Sequence, residues 1–462
     1  MKNTYFDLIN QTYYFPQAGF ALTDDHLLFN GIDIMDIIAK YGSPLRIFYL
    51  PKIGAQIQKA KELFNNSIEK LSYNGKYYYC FCTKSSHFSF VLDEVLKNKV
   101  HLELSSAFDV DLVRKLHARG SISKEQFMVC NGYKPKEYTD KLIGLMKDGY
   151  KNVLPVLDNM DELDAYTTAD VDVNLGIRIA AEEEPNFEFY TSRLGIRYSD
   201  IHNFYLEKIK PNPHLKLRML HFFINKGIQD TVYYWSELSK VLGVYCELRK
   251  VNPELTMLNL GGGFPIQYSL DFNYDYEYMI EEVVRQIQHR CKDEGVPTPD
   301  LFTEFGNFTV GESGVLVFKV LGEKLQNDQE RWYMINNSLM TTMPDIYGIQ
   351  QKFIILPINH WFRPFQRVNI GGLSCDGSDY YNSEVSQNQI NLPVFDKKES
   401  LYVGFFHTGA YQESLSGYGG TKHCLIPSPK VLLINRDEVG NLTTQVFREE
   451  QQAAEMLQIL GY

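Results

Sequence analysis

The sequence predicts an α/β fold, a (β/α)8 barrel, followed by an all-β region. Between residues 51 and 305, eight strand-like runs alternate with segments of helical periodicity. Eight βα units in roughly 250 residues are typical of a parallel barrel. After residue 312 the pattern changes to short strands separated by turn residues, which indicates an antiparallel sandwich or small barrel. An open doubly wound sheet is the alternative for the first region, and the count of eight favours the barrel.

The elements of the barrel region are predicted in order from their periodicity. The first helix covers 51–71, with its apolar residues on one face. Ser86 fits the N-cap of the helix after the first strand, and the helix after the second strand should end at Arg119, before Gly120. The strand-like runs are 76–82, 100–106, 126–132, 152–158, 171–179, 215–223, 255–260 and 300–305.

Two domains are expected from a chain of 462 residues. The predicted barrel domain covers 48–312. Residues 1–47 carry only short strand and helix signals and cannot form a core alone, so we expect them to join residues 313–462 in one β domain.

Composition excludes several classes of function. A net charge of −11 argues against nucleic acid as a partner. The seven cysteines show no CxxC pair or regular spacing, so we predict neither a disulfide framework nor a metal site. The first residues lack an apolar signal-peptide core, and no run has the length of a membrane span. We therefore expect a cytoplasmic protein without a membrane partner.

Three consecutive glycines, Gly261 to Gly263, follow the seventh strand-like run in the sequence NLGGGFP. Glycines are costly in an ordered segment, so the run indicates a backbone that approaches something closely. The approaching group is either a phosphate held by bare N–H groups or, in a tight turn, no ligand at all. Because barrels place phosphate sites after strands seven and eight, the position of the loop favours phosphate.

The carboxyl ends of barrel strands form the site in such enzymes, so residues at these ends are the candidates. In chain order they are Lys84, Glu103, Ser105, Asn131, Asp158, Arg178, His221 and Glu304. A lysine in a barrel mouth beside a phosphate site suggests a Schiff base with pyridoxal phosphate (PLP), although a lone lysine is more often a surface residue. Glu304 would keep the pyridine nitrogen protonated or form a structural ion pair. His221 would stack on the cofactor ring or be a core histidine.

Six segments resemble the fold-type III PLP decarboxylases, an alanine-racemase-like group that includes ornithine, arginine and diaminopimelate decarboxylases. The segments are Tyr79–Lys84, SRLGI (192–196), GGGFP (261–265), the Glu304 segment, SCDGSD (374–379) and HTGAY (407–411). The last two are specific to the decarboxylases and absent from the racemases. The resemblance runs from about residue 44 to 420 and is strongest to a short bacterial arginine decarboxylase subgroup.

This resemblance implies roles for the candidate residues. Lys84 carries the cofactor, His221 stacks on its ring, and the glycines hold its phosphate together with Tyr411. The cofactor-binding set is then Lys84, Glu103, Ser105, Arg178, His221, Gly261, Gly262, Gly263, Glu304 and Tyr411. Cys375 protonates the decarboxylated carbon, and Asp376 binds the distal cationic end of the substrate. Both would reach the pocket from the second subunit of a homodimer.

Three departures from the family pattern bear on cofactor affinity. The family's E-P-G-R run is EFGN here, so Asn307 stands where a phosphate-binding arginine is usual. His221 is followed by Phe222–Ile224 in place of Gly-Ser, and Lys84 is followed by Ser85–Ser86 in place of a small residue and Asn.

The implied substrate is a basic amino acid, and we predict arginine. Diaminopimelate decarboxylases typically carry glutamate after the cysteine, where this chain has Asp376. Asn337 stands where related enzymes often have a second substrate-facing aspartate, and a neutral amide weakens the grip on a compact ammonium more than on a guanidinium. Ornithine, lysine, diaminopimelate and carboxynorspermidine remain alternatives. An inactive binding protein like the antizyme inhibitors is the alternative from another class, and a racemase would leave CDGSD unexplained.

Overall fold

The computed structural model describes residues 15–182, 191–385 and 389–462. The expectations for residues 1–14, namely membership of the β domain and the lack of a signal peptide, lie outside the described residues. None of the helices in the described ranges combines the length and apolar character that crossing a membrane requires.

The chain divides into two compact units. The barrel unit consists of Ile53–Pro265 and Tyr274–Thr309. The β unit takes the described residues up to Lys52 and from Val310 onward, together with Ile266–Asn273. This last segment differs from the predicted division, which placed all of 48–312 in the barrel, because an excursion of eight residues carries no periodicity that would mark it in the sequence.

Eight parallel strands close into a barrel, as predicted. Each strand pairs with the next one along the chain, and the eighth pairs with the first, with Glu304 opposite Cys80. The strands, numbered one to eight below, are Tyr77–Cys82, His101–Leu104, Met128–Cys130, Val153–Leu157, Val173–Arg178, Leu215–His221, Met257–Asn259 and Asp300–Phe305. Apolar side chains from most of these strands fill the barrel interior, among them Val129, Met219 and Phe302.

Helices occupy the connections between the strands. Pro51–Lys70 precedes the first strand, close to the predicted 51–71. The helices between successive strands are Ser89–Lys97, Ala107–Ala118, Lys136–Lys147, Asp164–Thr167, Tyr198–Phe204, Val232–Val251 and Tyr276–Asp293.

The ends of these helices follow local side-chain chemistry. Ala107–Ala118 begins with a capping box, in which Ser106 and Asp109 bind each other's backbone N–H groups. It ends at Ala118 with Arg119 as its C-cap, one residue before the predicted end, and Gly120 follows with a positive φ. The prediction that Ser86 caps the first connecting helix is wrong. That helix begins at Ser89, and the Ser86 N–H instead donates to the Thr83 carbonyl, 3.0 Å away, because the chain makes a tight turn first.

The β unit is built on a strand from the beginning of the chain. Leu45–Tyr49 pairs antiparallel with Gly314–Leu325 and parallel with Lys430–Arg436. The other strands of this unit are Phe20–Thr23, His26–Phe29, Ile32–Asp33, Arg331–Ile335, Ile354–Pro357, Phe365–Gly371, Tyr380–Tyr381, Ile390–Pro393, Tyr402–Phe406 and Leu442–Arg448. Its helices are Ile34–Tyr41, Leu339–Thr342, Asp345–Gly348, Gln412–Ser416 and Ala453–Ile459. The short helix Asn307–Val310 lies where the chain passes from the barrel unit into the β unit. Two apolar clusters form its core.

Candidate active site

Lys84 lies in a tight turn, Thr83–Ser85, directly after strand one. The residues on either side anchor the turn, because the Thr83 hydroxyl donates to the Glu103 carbonyl (3.0 Å) and the Ser85 hydroxyl to the Cys82 carbonyl (2.8 Å). The lysine side chain is 44% exposed, and its Nζ donates to Glu103 Oε2 at 2.6 Å. The turn thus fixes a reachable amine at the carboxyl end of the strand.

Glu103 is fully buried at strand two and receives three donors. Lys84 binds one carboxylate oxygen, while the Ser105 hydroxyl (2.9 Å) and the Asn131 amide (3.1 Å) bind the other. Donors on both oxygens offset the desolvation of a buried carboxylate. The structure therefore brings together four predicted candidates, from the ends of strands one, two and three.

Glu304, at strand eight, shares the Asn131 amide with Glu103. Asn131 Nδ2 lies 2.9 Å from each Glu304 oxygen, and Asn259 Nδ2 lies 2.6 Å from Oε1. Burial and the negative charge of Glu103 raise the pKa of Glu304 to about 7, while Lys84 and the two amides lower it. Near neutral pH this carboxyl group can therefore gain or lose a proton.

His221, the last residue of strand six, is buried beside Glu304. Its Nε2 lies 3.5 Å from Glu304 Oε2, and neither ring nitrogen has a hydrogen-bond partner among the described residues. Burial, followed by the positive charges of Arg178, Lys84 and Lys134, lowers the pKa of His221 well below its ordinary value. The contact is therefore one between a neutral ring and a carboxyl group, not an ion pair.

Arg178 ends strand five and faces the same group of carboxylates. Burial lowers the pKa of its guanidinium, opposed by the charges of Glu304, Asp158 and Glu103, and the group remains a cation near neutral pH. It lies 5.8 Å from the centre of the Phe223 ring. Asp158, the candidate that follows strand four, accepts a hydrogen bond from the Gly195 N–H at 3.0 Å.

The three glycines pack tightly against neighbouring backbone. A Cβ on Gly261, whose φ is +69°, would lie 2.6 Å from the Phe222 carbonyl oxygen. A Cβ on Gly262 would overlap the Glu304 carbonyl oxygen, and one on Gly263 would lie 2.5 Å from the Cα of Gly227. Close approach to the chain that follows strand six and to strand eight itself thus accounts for the glycines, and phosphate binding by this loop stays a prediction.

Two residues of this site, Asn259 and Lys134, were not among those predicted from the sequence. Asn259 holds Glu304 with its amide and accepts the Gly261 N–H with its oxygen (2.9 Å), so it joins the carboxylate to the glycine loop. Its signal was available, since it ends strand seven just before the glycines. Lys134 is buried with Glu162 at 3.2 Å and donates to the Gly132 carbonyl at 2.8 Å. Nothing in its local sequence distinguished it from a surface lysine.

The SCDGSD segment forms a loop in the β unit that its second aspartate holds in place. Buried Asp379 accepts hydrogen bonds from the N–H groups of Leu339 (2.9 Å), Met340 (3.2 Å) and Ser374 (3.1 Å). The first aspartate, Asp376, is exposed and accepts the Ser378 N–H at 2.7 Å. One acidic residue thus shapes the loop, and the other presents its charge to solvent.

The remaining predicted residues also lie in the β unit. Cys375 is exposed. Asn337 is buried, and its amide donates to the Pro427 carbonyl (3.2 Å) while its oxygen accepts the Ser338 N–H (2.8 Å). Both ends of this amide thus have partners in the β unit. Tyr411 precedes the helix Gln412–Ser416 and has a left-handed backbone, with φ of +67°.

Comparison with known proteins assigns a family to this arrangement. Residues 52–311 match the family described as pyridoxal-dependent decarboxylase, pyridoxal binding domain. The chain belongs to this family. The predicted resemblance is confirmed, and the protein is a PLP-dependent carboxy-lyase that acts on an amino acid.

Similar proteins share most of the chain at low identity. The biosynthetic arginine decarboxylase of Prochlorococcus marinus (strain MIT 9215) is 22% identical, covering 96% of this chain and 87% of its own. That of Vibrio vulnificus (strain YJ016) is 21% identical, covering 90% and 83%.

Solved structures show the same fold. The biosynthetic arginine decarboxylase of Campylobacter jejuni superposes with a TM-score of 0.80 at 21% identity, covering 96% of this chain and 89% of its own. The diaminopimelate decarboxylase of M. jannaschii in complex with L-lysine has a TM-score of 0.78 at 18% identity, covering 94% and 96%. The predicted barrel with a β domain is confirmed.

The residues at the barrel mouth fit PLP. In the described part of the chain, buried polar atoms without a hydrogen-bond partner include both ring nitrogens of His221, Nε of Arg178 and Oδ1 of Asn131. Buried polar atoms are normally paired, so these positions suit a ligand that carries polar groups of its own. When bound, PLP withdraws electrons from the substrate carbon that loses its carboxyl group.

Proposed function

We propose that this enzyme removes the α-carboxyl group of L-arginine and releases agmatine and CO2, as a step of polyamine biosynthesis. The observation that carries the proposal is the similarity, over 96% of the chain, to proteins named biosynthetic arginine decarboxylases. The exposed Asp376 agrees with it, because a carboxylate binds a guanidinium through two parallel hydrogen bonds.

In the barrel unit, Lys84 is proposed to bind the cofactor covalently. Its 2.6 Å contact with buried Glu103 holds the amine at the end of strand one, while 44% exposure leaves it reachable. The wider cofactor-binding set is Glu103, Ser105, Arg178, His221, Gly261, Gly262, Gly263, Glu304 and, from the β unit, Tyr411. The lysine supplies the bond, and the others orient the ring and phosphate.

Glu304 is proposed to hold the proton of the pyridine nitrogen, with His221 stacked on the ring. The Asn131 and Asn259 amides fix the Glu304 carboxylate, and burial raises its pKa to about 7. A positive charge beside this carboxylate stabilises its ionised form. A neutral imidazole is suited to stacking, because it adds no charge that competes with the pyridinium.

In the β unit, Cys375 is proposed to donate the proton that replaces CO2, and Asp376 and Asn337 to contact the distal end of the substrate. A thiol is a plausible general acid toward a carbanionic carbon. We further propose a homodimer in which both residues serve the pocket of the other subunit. For the domains, we propose a PLP-binding barrel of 48–312 and a β domain of 1–47 and 313–462, with Ile266–Asn273 as an excursion toward the latter.

The substrate is tested by measuring CO2 release from arginine, ornithine, lysine and diaminopimelate at matched concentrations. We expect kcat/KM to be highest for arginine. A higher value for ornithine or diaminopimelate would overturn the substrate assignment and leave the decarboxylase activity in place.

A spectrum of the purified protein distinguishes the proposed enzyme from an inactive binding protein. A visible absorption band from bound cofactor, removed in Lys84→Ala and kept in Lys97→Ala, supports the enzyme. Lys97 is an exposed lysine of the same barrel, paired with Glu94 at 2.7 Å, and serves as the matched control. No band and no CO2 release from any of the four amino acids would favour the inactive protein.

A further inference from the structure

Three ligands of the type that bind soft metal ions meet in the β unit. The Sγ atoms of Cys375 and Cys424 are 3.4 Å apart, and a ring nitrogen of His423 completes a group whose ligand atoms lie within 4.8 Å of one another. No other trio of histidine, cysteine or acidic side chains in the described ranges brings its ligand atoms this close. The remaining five cysteines are buried.

Tertiary structure assembles this group from two distant segments. Cys375 and Cys424 are 49 positions apart in the chain. The loop that carries Cys375 is held by Asp379, whose carboxylate accepts the Ser374 N–H at 3.1 Å. In the turn His423–Leu425, Cys424 has a left-handed backbone (φ 54°, ψ 19°), a rare conformation for a residue with a side chain. Both members of this His-Cys pair contribute a ligand to the same group.

We propose that Cys375, His423 and Cys424 form a binding site for a thiophilic divalent cation of the zinc class. Zinc takes thiolate and imidazole ligands in a tetrahedron, and two thiolates with Zn–S bonds of about 2.3 Å then lie about 3.8 Å apart. The observed 3.4 Å is near this separation and far from a covalent S–S bond of about 2.05 Å. The imidazole is a third ligand, which a disulfide does not require. Three protein ligands leave a fourth position for water or another small ligand.

Occupancy of the site has a functional consequence that rests on the proposed role of Cys375. A thiol bound to zinc is deprotonated and its lone pair is engaged, so it cannot donate a proton. Zinc at this site therefore inhibits decarboxylation, and a chelator restores it. The prediction of no metal site rested on the absence of a CxxC pair. It missed this group because Cys375 and Cys424 lie 49 positions apart in the chain.

Direct observation of the ligands tests the site. The holoenzyme with one equivalent of Zn²⁺ is measured by X-ray absorption at the zinc edge, and its affinity by competition with a chromogenic chelator. We expect two sulfurs at about 2.3 Å and an imidazole nitrogen at about 2.0 Å. Cys424→Ser and His423→Asn should each weaken binding by more than about 100-fold, since loss of an outer-shell partner alone costs 10–100-fold.

His289→Asn is the matched control, because His289 is an exposed histidine of the barrel unit outside the cluster, and it should bind zinc like the wild type. A zinc environment of only nitrogen and oxygen, or unchanged affinity in Cys424→Ser, would overturn the site.

Turnover measured with and without zinc distinguishes failure of the metal site from failure of the function proposed for Cys375. Zinc should lower turnover of the wild type and of His289→Asn, whereas Cys424→Ser should keep its basal activity and resist the metal. If zinc binds with two sulfurs and turnover does not fall, the site stands and Cys375 is not the proton donor. If zinc inhibits Cys424→Ser equally, inhibition arises elsewhere and the proposed consequence is wrong.

Discussion

At Glu304, burial and the neighbouring groups act on the carboxyl pKa in opposite directions. Burial and the charge of Glu103 raise its pKa to about 7, against the opposing effects of Lys84, Asn131 and Asn259. A positively charged ring nitrogen would favour the ionised form further. Its proposed role therefore depends on charge, and a neutral isostere tests it.

We expect Glu304→Gln to fold normally and to slow decarboxylation by a factor on the order of 10² or more, the range for lost acid–base or electrostatic assistance. The measurement is kcat with saturating PLP, with circular dichroism as the check on folding. Glu62→Gln, at an exposed glutamate of the barrel unit, is the control. A wild-type rate in Glu304→Gln would leave the carboxylate with a structural role only.

The raised pKa of Glu304 also predicts how the stability of the cofactor-free protein changes with pH. Its folded-state pKa, about 7, lies above the ordinary 4.5, so between these values the folded state binds more protons than the unfolded state. The contribution of Glu304 to stability is therefore lost as pH rises through this window. Urea midpoints at pH 5 and pH 8 should differ less in Glu304→Gln than in the wild type or Glu62→Gln. Equal differences in all three would contradict the raised pKa.

The two aspartates of the SCDGSD motif have different roles: Asp379 holds the loop in place, and Asp376 is proposed to contact the substrate. Asp379 holds three backbone N–H groups, whereas Asp376 receives one, from Ser378 at 2.7 Å, and is exposed. Only Asp376 can therefore lose its charge without disturbing the loop.

We expect Asp376→Asn to raise the KM for arginine and lower kcat/KM at unchanged thermal stability, because an amide cannot pair with a guanidinium through two acceptor oxygens. A factor of about 10 or more corresponds to the loss of one charged hydrogen bond. Asp396→Asn is the matched control, since Asp396 also accepts an N–H two residues on, from Lys398 at 2.9 Å. If both variants keep wild-type KM, Asp376 does not read the substrate.

At the scale of elements, hydrogen bonds link the glycine loop and the end of strand seven to Glu304 of strand eight. Asn259 ends strand seven and binds Glu304, while the Glu304 N–H donates to the Gly261 carbonyl at 2.8 Å. The loop therefore positions the acid that is proposed to serve the cofactor. Sequence alone identified the loop by its glycines. It could not reveal that the glycines pack against backbone atoms of Phe222, Gly227 and Glu304, because those residues are distant in the chain.

We expect Gly262→Ala to lower both stability and cofactor content, because its Cβ would overlap the Glu304 carbonyl. Gly243→Ala, in the helix Val232–Val251, meets only Arg290 at an ordinary 3.9 Å and should stabilise that helix by up to about 1 kcal/mol. Thermal midpoints and absorbance of bound PLP measure the difference. Equal stability of the two variants would mean that the loop adapts to a side chain.

At the scale of the whole molecule, the proposed machinery is divided between two units. Lys84, Glu304 and His221 belong to the barrel unit, whereas Cys375 and Asp376 belong to the β unit. A shared site in a homodimer is proposed from the family resemblance, and complementation between inactive variants tests it.

We expect Lys84→Ala and Cys375→Ala each to be nearly inactive as pure proteins. Mixed under conditions of subunit exchange, they should recover up to about a quarter of wild-type activity, since random pairing yields hybrids in half of the dimers, each with one intact pocket. Two differently tagged copies of Lys84→Ala provide the control for exchange without complementation. Full exchange without recovery would place both residues in the pocket of one chain.

Local sequence patterns predicted the eight strands, their order and most of the residues at their carboxyl ends. Alternation of strand and helix signals is a local property, and a parallel barrel places all carboxyl ends on one face whatever the details of closure. The sequence pattern alone therefore assigned Lys84, Glu103 and Glu304 to one end of the barrel, and the Gly120 stop could be read from its neighbours.

Which of these side chains are in contact, and how their pKa values shift, depends on the folded chain. Asn131 and Glu304 are 173 positions apart and Cys375 and Cys424 are 49 apart, so their contacts depend on barrel closure and loop packing. The pKa of Glu304 depends in turn on its burial and on Glu103. The excursion Ile266–Asn273 and the turn that displaces the helix start from Ser86 to Ser89 likewise reflect packing. Such properties arise from neighbours in space, which local sequence patterns do not specify.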